Sequence, residues 1–354
     1  MELFENELYM EDVAHTAELD LSWEKLKNSS VLISGAAGMI GSFLIDVLMF
    51  RNTRYQMNCR VYALGRNRKK AEKRFTVWLK EPEFEFIEHD INLPIADETA
   101  ESIDFVLHLA SNTHPVAYSS DPIGTITTNM IGTGNMLEFA SKHGAQRCLF
   151  ASSNEIYGEN RGDTEKFTEE YCGYINCNTL RAGYPESKRC GETLCQAYIR
   201  QKGLDIVIAR FTRTYGPTLL ETDTKAMSQF LHKAVKGENI VLKSEGMQFY
   251  SFLYAADSVS GLLTVLLKGK TGEAYNISDE ASDIRLRDLA GIIAGHAGKE
   301  VIFELPDEAE SAGYSKVTKA RLDSEKLQGL GWKAEYDIKT GSQRTIEILK
   351  ALKA

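Results

Sequence analysis

Short, continuously apolar runs alternate with longer segments of helical pattern through the first two-thirds of the chain. Residues 31–34, 60–64, 84–88, 105–109, 148–152 and 205–209 have the length and composition of buried strands. Between them, 39–50, 124–143 and 180–201 carry apolar positions at helical spacing, and a basic run spans 66–74. Unbroken apolar strands separated by helices predict a parallel sheet covered on both faces, because an exposed face would show polar residues at every second position. Beyond Gly216-Pro217 the rhythm loosens. Strands are predicted at 238–243 and 274–277, as isolated short elements, and helices at 225–235, 256–267 and 286–296. The pattern therefore predicts an α/β fold in three parts. An acidic N-terminal extension covers 1–29, helical around 21–26. A doubly wound parallel domain covers 30–217, and a smaller C-terminal α/β substrate lobe covers 218–354, from which the chain can cross back.

Composition narrows the class. A chain of 354 residues with 43% apolar residues can bury about three-quarters of its unfolded surface, so it needs no staples. A net charge of −9 argues against nucleic acid or an anionic membrane surface as a partner, since either requires a basic face. The apolar stretch at 31–50 imitates a membrane span, but Gly35, Gly38, Gly41 and Asp46 interrupt it, and it reads as strand, turn and helix. Six cysteines form no CxxC, and Cys190 and Cys195 point apart on a helix, which predicts reduced thiols in a cytoplasmic protein. The acidic start is no signal peptide. Seven histidines, His114 among them, show no metal-ligand spacing, so no metal is expected.

Gly35-Ala36-Ala37-Gly38-Met39-Ile40-Gly41 follows the first strand and opens a helix. The first glycine permits the tight turn, the second lets backbone approach a pyrophosphate, and the third lets helix pack on strand. The helix N-terminus then stabilises the phosphate charge. This is a Rossmann-type dinucleotide turn, spaced G-x-x-G-x-x-G. The second strand ends in Gly65-Arg66-Asn67 rather than in an acid for a ribose hydroxyl. A guanidinium beside a small residue suits a 2′-phosphate, which favours NADP over NAD.

Tyr184 and Lys188 lie four apart, on one face of the predicted helix. A phenol is a poor acid or base at neutral pH. A neighbouring ammonium and an oxidised nicotinamide would lower its pKa and fit it to exchange a proton with a substrate hydroxyl. The pair follows five strand-like runs, one helix past Ser153 at the end of the fifth.

As a set, these residues resemble the extended short-chain dehydrogenases/reductases of the nucleotide-sugar epimerase/dehydratase family. The resemblance spans about 30–345 and includes His108-Leu109-Ala110, Asp121-Pro122, Thr128-Asn129, Gly132-Thr133, 151–158, Tyr215-Gly216-Pro217, Tyr254, Asp257 and Leu330-Gly331-Trp332. Segments 110–158 and 176–198 are most similar to the UDP-glucuronate decarboxylase branch. The resemblance implies catalytic roles for Ser153, Tyr184, Lys188 and Glu155. Glu155 would act near C5 of the sugar, with Asn154 where dehydratases often have Asp. It implies cofactor contacts from Gly35, Gly38, Met39, Ile40, Gly41, Arg66, Asn67, Asp90, Ile91, Leu109, Ala110, Ser111, Asn129, Tyr184 and Lys188. Substrate contacts would come from Ser111, Thr113, Ser153, Asn154, Arg213, Lys225 and Tyr250. A homodimer through the helices at 124–143 and 180–201 is also implied.

Two positions depart from the family pattern. Two residues before Phe252 the family has an arginine for the nucleotide diphosphate, and this chain has Tyr250. Two residues before Tyr215 the family has an asparagine, and this chain has Arg213. One cation is lost and another gained, so Arg213 is expected to contact substrate phosphate or sugar. The implied activity is NAD(P)-dependent modification of a nucleotide-activated sugar through oxidation at C4, ending in decarboxylation, dehydration or epimerisation. Two alternatives stand beside it: an NADPH-dependent reductase of a nucleotide-linked ketose, and a non-catalytic NAD(P)-binding sensor.

Overall fold

The computed structural model describes residues 2–99, 102–113, 115–304 and 318–353; His114 lies outside them. Its centre is a seven-stranded sheet whose strands lie side by side in the order 274–277, 206–211, 147–153, 105–108, 30–34, 60–65 and 84–88. The strands are β1 (Ser30–Ser34), β2 (Arg60–Gly65), β3 (Phe84–Glu88), β4 (Phe105–His108), β5 (Arg147–Ser153), β6 (Ile206–Phe211) and β10 (Ala274–Ile277). Every neighbouring pair is parallel. All five residues of β1 are buried, as the unbroken apolar run requires. Val31 and Ile33 pack into one core layer and Leu32 into the other, so the sheet is covered on both faces.

The helices that shape the site are α2 (Met39–Tyr55), α5 (Pro122–Lys142) and α6 (Gly183–Lys202). Asp121 caps α5, its carboxylate accepting the Gly124 N–H at 3.0 Å, and Pro122 occupies the first turn, where no amide partner is needed. Gly203, at φ 70°, ends α6. Strand order reverses between β1 and β4. The loops after these strands therefore diverge and leave the crevice where doubly wound sheets bind ligands.

Three expectations change. The strand at 274–277 is not isolated: Ala274 to Ile277 pair with Ile208 to Phe211 as the outermost strand of the main sheet. A second sheet went unpredicted. In it β7 (Arg213–Tyr215), β11 (Asp283–Arg285) and β13 (Lys319–Ala320) all pair with β9 (Phe249–Tyr254). The N-terminal extension is built into the core, through α1 (Glu7–Glu18) as well as a 3-10 turn at Trp23–Leu26. Tyr9, Val13 and Ala17 are fully buried, and Asp12 accepts hydrogen bonds from Tyr254 and from Arg344 near the C-terminus. Their spacing is helical, but the acidic residues on the outer face mask it.

Candidate active site

The glycine turn is fixed by lack of space. Gly35 sits at φ +71°, and a Cβ there would lie 2.7 Å from the Ala110 backbone nitrogen. A Cβ on Gly41 would lie 2.5 Å from the Gly35 carbonyl oxygen. The turn is thus pressed against the end of β4, with Gly38 capping α2. The Ser34 hydroxyl oxygen accepts the Leu109 and Ala110 N–H groups at 3.2 and 3.3 Å, and His108 Nδ1 lies 2.8 Å from it. Burial, and then Lys188, hold His108 down at about 3, so this imidazole is neutral. Thr218 donates to the Met39 carbonyl oxygen at 2.9 Å and ties the second lobe to the start of α2. This close backbone approach at a helix N-terminus, a cradle that any side chain would fill, fits a dinucleotide pyrophosphate.

Other expected cofactor residues surround that crevice. Arg66 is exposed at the end of β2, with no ion pair among the described residues, while Asn67 accepts the Lys70 N–H and caps the helix at Arg68–Arg74. The Asp90 carboxylate accepts two hydrogen bonds from Asn92 at 3.0 Å. Ile91 packs against Gly132 of α5, where a Cβ would lie 2.6 Å from its Cδ1. Fully buried Asn129 accepts from Ser111 at 2.7 Å and donates to Ser187 at 2.9 Å; Ser187 in turn donates to the Tyr184 carbonyl oxygen at 2.9 Å. One asparagine thus fixes the loop after β4 relative to the first turn of α6.

At the end of β5 the expected reacting groups converge. Tyr184 is buried, with the Ser153 and Ser111 hydroxyls beside its own, and stacked on Tyr118 with ring centroids 4.8 Å apart. Ser153 also accepts the Glu155 N–H at 3.2 Å, and Asn154 is buried beside it. Lys188 donates to the Ala151 carbonyl oxygen at 2.8 Å and lies over the Phe150 ring. Here the structure corrects one expectation. Within the protein alone the Tyr184 phenol is pushed up rather than down, by burial first and then by the Glu155 carboxylate; the two serine hydroxyls oppose this. Lys188 does not supply the lowering, because burial brings the ammonium itself down to about 7.

Glu155 is held by a residue the sequence reading passed over. Arg181 Nη2 lies 2.7 Å from one Glu155 carboxylate oxygen and 2.6 Å from the other, and the guanidinium lies 4.9 Å from the Tyr118 ring centroid. Arg181 stands three residues before Tyr184, a spacing that puts the two on one helical face and could have flagged it. Arg213 is half-buried, stacked on Tyr250 at 3.7 Å, and its Nη1 is buried without a hydrogen-bond partner among the described residues. Lys225 pairs with Asp223 at 3.0 Å, and Thr113 is exposed. Neither is brought against Tyr184 by any contact among the described residues, and those residues hold no metal-ligand cluster.

This constellation, a glycine cradle at a sheet switch point beside a serine–tyrosine–lysine group, defines a dinucleotide-dependent short-chain dehydrogenase type of site. The profile of the NAD dependent epimerase/dehydratase family matches residues 31–278, and the chain belongs to that family. UDP-glucuronic acid decarboxylase 6 of Arabidopsis thaliana is 38% identical over 317 residues, which are 89% of this chain and 87% of the relative. Among solved structures, the UDP-glucuronic acid 4-epimerase of Bacillus cereus in complex with UDP-glucuronic acid and NAD superposes with a TM-score of 0.78. It shares 20% identity, over 91% of this chain and 99% of that one. A double mutant of the dTDP-glucose 4,6-dehydratase of Streptomyces venezuelae, with NAD and a further ligand bound, gives a TM-score of 0.76 at 24% identity, over 90% and 96% of the two chains.

Proposed function

We propose that the protein is an NAD(P)-dependent enzyme that oxidises a nucleotide-activated sugar at C4 and then removes its C5 carboxylate, as a UDP-glucuronate decarboxylase does. The observation that carries this is the placement of Glu155, held by Arg181, two residues beyond Ser153 and within the field of Tyr184. A proton-transfer group there has no task in simple reduction, but it has one in decarboxylation, where C5 must be protonated after carbon dioxide leaves.

The bound dinucleotide supplies hydride transfer to and from C4. Gly35, Gly38, Met39, Ile40 and Gly41 would hold its pyrophosphate, Asp90 and Ile91 its adenine end, and Leu109, Ala110 and Asn129 the path between. Tyr184 takes the proton from the 4-hydroxyl oxygen while Ser153 orients that hydroxyl, a step in which position counts as much as acidity. Lys188, anchored on the Ala151 carbonyl one turn beyond Tyr184, would hold the nicotinamide ribose. With C4 a ketone, the bond between C5 and its carboxylate can break: carbon dioxide leaves, the bonding pair passes into the C4 carbonyl as an enolate, and C5 then takes up a proton relayed from water on the side of Glu155 and Asn154. Arg66, exposed at the end of β2, favours NADP; Arg66→Ala is expected to weaken NADP selectively, which parallel titrations with NAD and NADP test.

The exposed apolar residues Ile123 and Ile131 on α5, with Leu180 in the turn just before α6, support a homodimer through this face. Six free cysteines support a cytoplasmic setting. No described helix is long and apolar enough to cross a membrane. The testing experiment is a panel of UDP-, dTDP-, GDP- and CDP-linked sugars followed by product mass. Loss of carbon dioxide supports the proposal. Loss of water or an unchanged mass redirects it to dehydration or epimerisation. A gain of two hydrogens would establish the ketose reductase that Arg66 and Tyr250 leave as the second reading.

A further inference from the structure

The parallel register of β5 and β6 sets Ser153 opposite Phe211. Two residues further along each chain stand Glu155 and Arg213, so the two emerge as neighbours at one end of the sheet. The charges around Arg213 agree: Glu155 attracts it, Arg181 repels it, and the Tyr250 ring lies against it. Glu155 does not neutralise Arg213, because both of its carboxylate oxygens lie on Arg181 Nη2. The wall beside Tyr184 therefore holds one closed ion pair and one surplus guanidinium, with a buried N–H that no described residue accepts. An unpaired buried donor is costly, and a site that keeps one is built for a partner that arrives from outside.

The position of that guanidinium identifies the partner. With the 4-hydroxyl at Tyr184 and Ser153, the C5 substituent is adjacent and the diphosphate on C1 lies across the ring. An anion that meets Arg213 next to Glu155 is therefore carried on the sugar. We infer that Arg213, seated on Tyr250, is the receptor for the sugar carboxylate of a nucleotide uronate, which makes it a specificity-determining residue for the reading given above, on which this inference rests. Arg181 has a separate part: by closing Glu155 into an ion pair, it keeps that carboxylate from repelling the substrate's own. The Tyr250 ring supports the guanidinium by a cation–π contact, a task the family's arginine at this position could not perform.

The test compares affinities of the NAD-loaded protein for UDP-glucuronate, UDP-glucose and UDP, by calorimetry. The unchanged protein should prefer UDP-glucuronate to UDP-glucose. In Arg213→Met, UDP-glucuronate should weaken by about 10- to 100-fold, the worth of a charge-assisted hydrogen bond, while UDP-glucose and UDP stay within about twofold. Equal weakening of all three ligands would make Arg213 a diphosphate contact and overturn the inference, as would no change in any. Absence of a uronate preference in the unchanged protein would instead remove the decarboxylase reading itself. UDP-glucuronamide provides an arm independent of folding. On the unchanged protein the neutral amide should bind at least about tenfold more weakly than the carboxylate, and equal binding refutes charge recognition.

Discussion

Replacing Glu155 by Gln separates a structural contribution from a chemical one, because the structure makes the two very different in size. Glu155 pairs with Arg181 through one nitrogen at 2.6 and 2.7 Å, but the Arg181 side chain is 50% exposed. A pair this wet contributes about 0–1 kcal/mol to stability. Glutamine keeps the volume and one acceptor oxygen, so the unfolding midpoint should move by no more than about 2–4 °C. The chemical loss is larger. Removing a positioned proton-transfer group costs about 100- to 10,000-fold in rate, or roughly 3–5 kcal/mol of transition-state stabilisation. Ser153 and Tyr184 remain in place, so oxidation at C4 should proceed while the C5 step stalls. Mixing the NAD-loaded variant with UDP-glucuronate should give a lasting absorbance near about 340 nm with little decarboxylated product by mass spectrometry. Product at the unchanged rate would refute the role assigned to Glu155 and promote the reductase reading, in which it has no step.

Tyr184→Phe retains the ring stacked on Tyr118, so the fold should hold while turnover falls at least about 100-fold; near-normal turnover would remove the catalytic assignment. Gly35→Ala should cost at least about 1–2 kcal/mol and abolish dinucleotide binding by calorimetry, since its Cβ would lie 2.7 Å from the Ala110 nitrogen at φ +71°. Lys188, at about 7 in the folded chain, gives the cofactor-free protein a pH dependence of known sign. Between about 7 and about 10.5 the unfolded chain holds the extra proton, so this group's contribution to stability rises with pH through that window. Lys188→Met should raise the unfolding midpoint of the cofactor-free protein at pH 7, by the equivalent of roughly 2–5 kcal/mol, and the difference should shrink towards pH 10.

The parallel sheet was legible because its strands are buried on both faces and so write unbroken apolar runs; residues 84–88 are the third strand to the residue. The glycine turn was legible because backbone crowding at Gly35 and Gly41 admits no other residue type. The second sheet was not legible, since β7 and β11 span three residues each and take their order from β9, which is distant in sequence. The same distance hid the place of β10, whose partner β6 lies more than sixty residues earlier. In the site, Tyr184 and Lys188 could be named from type and spacing, and Ser153, Glu155 and Arg213 from the resemblance to the family and one departure from it. The pairing of Glu155 with Arg181, and of Arg213 with Tyr250, depends on side chains meeting across loops, which no local pattern encodes. The upward push on the Tyr184 phenol in the cofactor-free chain was not legible for a related reason. Spacing revealed the nearby lysine, but the burial that dominates both groups is a property of the assembled core.

The central claim is that C4 oxidation here leads to loss of the sugar carboxylate. Incubating the protein, loaded with NAD or NADP, with UDP-glucuronate labelled with carbon-13 in the carboxyl group tests it directly. The account predicts labelled carbon dioxide in step with an unlabelled UDP-pentose. Retention of the label in a nucleotide sugar, with UDP-glucuronate turned over, would contradict it.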